Sequence, residues 1–344
     1  MDTSAIVGVI VVIFAGLAMG SVAWPMKLMR KFKFEHWWLI GMFVGLIVVP
    51  WVVTLAFCPD ALKAYSEVPL RVILLSNAFA LSWGVANVLW GLCIVRIGMA
   101  LSGAILTGLG VSVGVTVPMI FKGSGLFSNT AGPDSPAGKA VLAGVGVMLI
   151  GVVLASLAGF GRDRVLQKQD KKSGSFLGGL IMAAIAGVTS CGISLAFVYS
   201  QAPIVSAMKA HGASDIPANL AVWAIGLIGG ALVNISFPIY LLCKNKSWGV
   251  FKESPKETLL ASVIGIQFCL ANALLGSGML LLGALGASVG FGIQQASQMI
   301  GGQSVGFISG EWRGVHGVPR KLMYATILVL MIAAVIMAYG NTLN

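Results

Sequence analysis

GASVGFGIQQASQMIGGQS, residues 286–304, decides the fold class, because it lies inside 258–310, a run of 53 residues without one charged side chain. A helix of about 20 apolar residues crosses the hydrocarbon core of a bilayer. This run is too long for one crossing and suits two, divided at the glycine-rich LLGALGAS (281–288). Working outward, further charge-free windows occupy 3–26, 37–59, 72–95, 97–121, 140–161, 173–208, 216–243 and 322–344. The expected spans are approximately 4–25, 37–58, 72–94, 98–120, 140–160, 175–198, 218–243, 259–280, 285–309 and 322–341. The composition agrees: 58% of residues are hydrophobic and 10% charged, against about 25% charged in soluble domains. The chain therefore reads as an all-α integral membrane protein with ten transmembrane helices.

The net charge of +11 would suit a nucleic-acid binder if it formed a patch, but its placement is topological. Assigned alternately to the two faces, one set of loops holds four Lys and Arg in 27–33, Arg96, five in 162–172, four in 244–256 and three in 313–321, seventeen together. The other set holds Lys63, Arg71, Lys122, Lys139 and Lys209. Seventeen against five is the positive-inside asymmetry, which makes the first set cytoplasmic and both termini extracytoplasmic. No nucleic acid is expected as a partner. MDTSAIVG carries no basic residue ahead of the first apolar run, unlike a secretory signal, so 4–25 reads as an uncleaved span. Five cysteines without CxxC spacing read as small apolar packing groups.

FGRDRVLQKQDKKSG (160–174) is the most polar connector and follows five spans. It divides the chain into a first five-helix repeat (1–160), a cytoplasmic linker (161–174) and a second five-helix repeat (175–344). An odd number of spans per half obliges the second half to enter from the opposite face, the inverted-repeat architecture of many secondary transporters.

Several segments together resemble a known family. KFKFEHWW (31–38) is followed by VVPW (48–51), WGVANVLWGLCIVRIGMALSGAI (83–105), GISLAF (192–197) and GEWRG (310–314). In order and spacing these resemble the L-rhamnose–proton symporter family of the drug/metabolite transporter superfamily, over nearly the whole chain. The resemblance implies ten helices in a bacterial inner membrane. It also implies proton-coupled import of a neutral sugar, L-rhamnose or a related monosaccharide. A sodium-coupled or facilitative carrier of another small metabolite is the alternative within transport; a membrane scaffold is the alternative outside it. No constellation for catalysis, nucleotide binding or a metal occurs, so neither enzyme activity nor a cofactor is expected. The partners expected are the sugar, the lipid bilayer and H+, with Na+ the alternative ion; protein partners are not legible.

A neutral sugar is matched by amides, which both donate and accept, and by aromatic faces. Trp83, Asn87 and Trp90 fall at i, i+4 and i+7 on one helical face; a packing stripe is the alternative. Gln294 and Gln298, at i and i+4, share a face mid-membrane, with Gln295 about 100° away. An amide in lipid needs a partner, so Gln294 and Gln298 read as cavity lining together with Gln267 and Asn272, four amides in all. Ser190 and Ser194, in GVTSCGIS (187–194), are further candidates, against the alternative of hydroxyls bonded back to their own helix. Trp37, Trp38 and Trp51 stand at span ends and read as an interfacial belt. All eleven acidic residues fall in loops or at span boundaries, so the coupling candidates are Glu35, His36 and Glu311, with interfacial ion pairing as the alternative role.

Overall fold

The computed structural model describes residues 3–22, 24–97, 99–166 and 176–343. Helices dominate, and no strand occurs among the described residues. The first half comprises α1 (Thr3–Ser21), α2 (Phe34–Phe43), α3 (Val49–Phe57), the short α4 (Ala61–Glu67), α5 (Leu70–Ile97), α6 (Met99–Phe121) and α7 (Pro136–Val165). The second comprises α8 (Phe176–Ser190), α9 (Gly192–Ala210), α10 (Asp215–Gly226), α11 (Ile228–Asn245), the short α12 (Val250–Glu253), α13 (Pro255–Leu281), α14 (Gly286–Ile308) and α15 (Val318–Gly340). Seven helices or continuous helix pairs are long and apolar enough to cross a membrane, and the bent α10–α11 pair makes eight. α7 continues five residues past the expected boundary at 160, and the linker beyond Leu166 lies outside the described residues.

Three expected spans are not single straight helices. Between α2 and α3, Val44–Val48 forms a wide π-helical turn immediately before Pro50, whose missing N–H cannot close a normal helical turn. The span expected at 175–198 reaches Ala210 and breaks at Cys191. The span expected at 218–243 breaks at Leu227 and bends there by 54°. Such breaks expose backbone groups that lipid cannot satisfy, and α5 supplies the partners. Asn77 Nδ2 donates to the Ile225 carbonyl at 3.0 Å, and its Oδ1 accepts from the Gly229 N–H at 2.7 Å. Ser76 Oγ lies 3.2 Å from the Gly226 carbonyl.

Glycine brings helices together where lipid provides no hydrophobic drive. α1 lies along α13 and α14, and a Cβ at Gly20 would meet the Gln298 carbonyl oxygen at 2.0 Å. Gly45 and Gly265 oppose each other so closely that a Cβ on either would collide with the other's backbone. α7 packs along α15, while α5 sits among α8, α9 and α11.

Candidate functional site

A cavity of about 780 Å³ lies among α1, α2, α5, α6, α11, α13 and α14 and the α8–α9 junction, within the range of about 300–1,000 Å³ usual for small-molecule sites. One end is lined by Met26, Phe34 and Leu241, close to the basic loops; the other reaches Leu275 and Phe291, past the middle of the bundle. No ionisable side chain lines it among the described residues. No group of three or more potential metal ligands occurs among them either.

Seven of the nine candidate binding residues line this cavity: Trp83, Asn87, Trp90, Ser190, Asn272, Gln294 and Gln298. Helical spacing presents the α5 trio together, and Trp83 stacks on Phe268 of α13 with centroids 6.0 Å apart. Asn87 Nδ2 donates to Asn234 Oδ1 at 3.1 Å, so its own oxygen remains for a ligand. Gln294 Nε2 donates to Gln298 Oε1 at 3.0 Å. Asn272 and Ser190 bond back to their own helices, through the Phe268 and Gly187 carbonyls. Two buried atoms in this wall, Trp90 Nε1 and Gln294 Oε1, have no hydrogen-bond partner among the described residues. A buried polar atom without a partner costs about 1–3 kcal/mol, so one lining residue of α5 carries an unsatisfied donor and one of α14 an unsatisfied acceptor.

Gln267 and Ser194 stand outside the cavity. Gln267 accepts from Trp24 Nε1 at 3.0 Å and donates to the Ala18 carbonyl at 2.8 Å and to Ser21 Oγ at 2.9 Å, fastening α1 to α13. Ser194 is 1% exposed and lies behind the cavity wall. Conversely, Trp37 and Trp38, read as a belt, line the cavity. Phe34 stacks on Trp38 at 5.1 Å and meets Trp37 and Phe237 edge-on, which makes an aromatic collar near the basic loops. Gln295 also lines it, because the space wraps far enough around α14 to take in residues about 100° apart. Spacing within one helix carried no signal for either, since the opposing helices set the cavity's width.

The coupling candidates take two different places. Glu35 and His36 are buried at the start of α2, between the cavity-lining Phe34 and Trp37. Glu35 Oε1 accepts from Asn245 Nδ2 at 2.9 Å. His36 Nδ1 accepts from the Lys33 N–H at 3.2 Å, and its Nε2 faces the Ser247 carbonyl at 3.1 Å. Glu311 pairs with Lys27 and with Arg162 Nη1 at 3.1 Å, bracing the ends of α1, α7 and α14 at the basic surface.

The sequence model of the L-rhamnose-proton symport protein family matches residues 1–342. The chain belongs to that family. It is accordingly a membrane transport protein and not an enzyme. It is 27% identical over 323 residues to the L-rhamnose-proton symporter of Pectobacterium atrosepticum, 92% of each chain. The corresponding figure for the Pectobacterium carotovorum symporter is 26% over the same share of each chain. For the L-rhamnose-proton symporter of Yersinia pestis it is 26% over 347 residues, 99% of each chain.

Proposed function

We propose that this family member carries L-rhamnose, or a closely similar neutral monosaccharide, together with a proton into the bacterial cytoplasm by alternating access. The observation that carries the reading is the cavity wall: amides and indoles at mid-bundle depth, no fixed charge among the described lining residues, and an unpartnered donor and acceptor in Trp90 and Gln294. Such a wall suits a neutral polyol whose hydroxyls take both roles and whose apolar face rests on an aromatic ring. The relatives' names support rhamnose and the proton; nothing favours Na+.

Ten crossings in two inverted five-helix repeats, 1–160 and 175–344, complete the reading. The eight candidate spans are joined by α6 and α14, each of 23 residues, about 35 Å of helix against a core of about 30 Å. Both termini then lie outside, and the cavity extends toward the cytoplasm in an inward-facing state. Coupling is assigned to Glu35 with its neighbour His36, the titratable pair set between cavity-lining residues. Proteoliposome uptake over a panel of labelled sugars, with and without proton and sodium gradients, tests the function. Accumulation of rhamnose driven by an inward proton gradient is expected, and accumulation driven by sodium alone would refute it. A reporter active only in the cytoplasm should be silent at either terminus.

A further inference from the structure

The cavity ends at a closed layer. Phe197 of α9 and Trp223 of α10 stack with centroids 4.8 Å apart and planes 18° apart, and both are buried. They press on Gly276 of α13, where a Cβ would come within 2.8 Å of two Phe197 ring carbons and 3.3 Å of Trp223 Nε1. Gly276 directly follows Leu275, which lines the cavity, and is one turn beyond Asn272. Farther out, the same layer is held by Tyr65, whose hydroxyl donates to the Ala221 carbonyl at 2.7 Å.

Two polar atoms are unsatisfied here, one on Trp223 itself and one on Ser194, three positions before Phe197 on α9. Ser194 Oγ and Trp223 Nε1 are fully buried and have no hydrogen-bond partner among the described residues. Serine within a helix ordinarily bonds the carbonyl four residues back, as Ser200 does on the same helix, donating to Ala196 at 2.7 Å. Ser194 does not. It follows the cavity-lining Ile193 and precedes Phe197 by three positions, on the strip of α9 that leads from cavity to seal. Buried polar groups without a partner are uncommon in native proteins, and a second conformational state can supply the partners.

We propose that Ser194 and Trp223 form an outer subsite for the neutral sugar, sealed in this structure behind the Phe197–Trp223 stack and exposed when the transporter faces outward. The proposal rests on the sugar-transport reading and adds to it a second set of contacts, used from the opposite side of the membrane. The 54° break at Leu227 lies four residues from Trp223, and the α8–α9 break at Cys191 lies three from Ser194. α9 and α10 thus carry the subsite on segments that can pivot at mid-bundle, as discontinuous helices do in other transporters.

The test compares the two faces. In right-side-out vesicles, Ser194→Ala and Trp223→Phe are each expected to raise the KM for labelled L-rhamnose by about fivefold, the factor carried by one lost hydrogen bond. In inside-out vesicles KM should stay at the parent value. An inert Ser194 would leave both values unchanged, and a merely structural Trp223 would move both together; either result overturns the subsite. A second readout needs no transport. In a background with the five native cysteines replaced, Ser194→Cys should be modified by a membrane-impermeant maleimide added outside. Adding Gly276→Val, which wedges the stack, should accelerate it. No labelling in either protein overturns the proposal, whereas labelling in a protein that carries none of the sugars would sink the transport reading while leaving the outer route.

Discussion

Two glutamines with equal claims in the sequence should respond oppositely to truncation. Gln267→Ala removes three hydrogen bonds that fasten α1 to α13, to Trp24, Ala18 and Ser21. Interhelical bonds in membranes average about 0.6 kcal/mol, so the loss is about 2 kcal/mol of stability with no sugar contact touched. Gln294→Ala removes one bond, to Gln298, together with an oxygen buried without a partner among the described residues. Those effects oppose each other, and stability should stay near the parent's. Gln294 also lines the cavity, where one lost bond to a sugar hydroxyl would cost about 1 kcal/mol, or about fivefold in Kd. Thermal melting in detergent reads the first effect. Quenching of tryptophan fluorescence on adding L-rhamnose reads the second, since Trp83 and Trp90 line the site. If Gln267→Ala melted like the parent but bound sugar as weakly as Gln294→Ala, the cavity face would be misassigned and the proposed site would fall with it.

Asn77→Ala should lower the melting point, because two side-chain bonds to the broken α10–α11 junction are worth about 1–3 kcal/mol together; an unchanged melt would show the break to be satisfied elsewhere. Glu35→Gln keeps the shape and removes the titrating group, so it should still exchange labelled sugar but fail to concentrate it under a proton gradient. Undiminished accumulation would remove Glu35 from the mechanism. Glu311→Gln loses pairs with Lys27 and Arg162 that are partly exposed and worth up to about 1 kcal/mol each. Its deficit in melting temperature should shrink in 1 M salt, where the Debye length is about 3 Å, and a salt-independent deficit would point to packing instead.

The amino-acid sequence by itself determined that the chain lives in a membrane, because hydrocarbon accepts about 20 apolar residues in a helix and rejects charge, a constraint local to each window. It also determined which side chains share a helical face: Trp83 with Asn87 and Trp90, and Gln294 with Gln298, follow from 3.6 residues per turn alone. Only the tertiary structure decided what each face meets. Gln267 and Gln294 look alike in sequence, yet one is occupied by groups almost 250 positions away and the other opens on the cavity. Trp37 and Trp38 sit where a belt would be expected, and become cavity wall together with Phe34, which meets both rings. The breaks at Cys191 and Leu227 left no trace in the apolar pattern. At Leu227 the exposed backbone groups are satisfied by Ser76 and Asn77 on a different helix, and a hydrogen bond between distant segments has no signature in the spacing of either one.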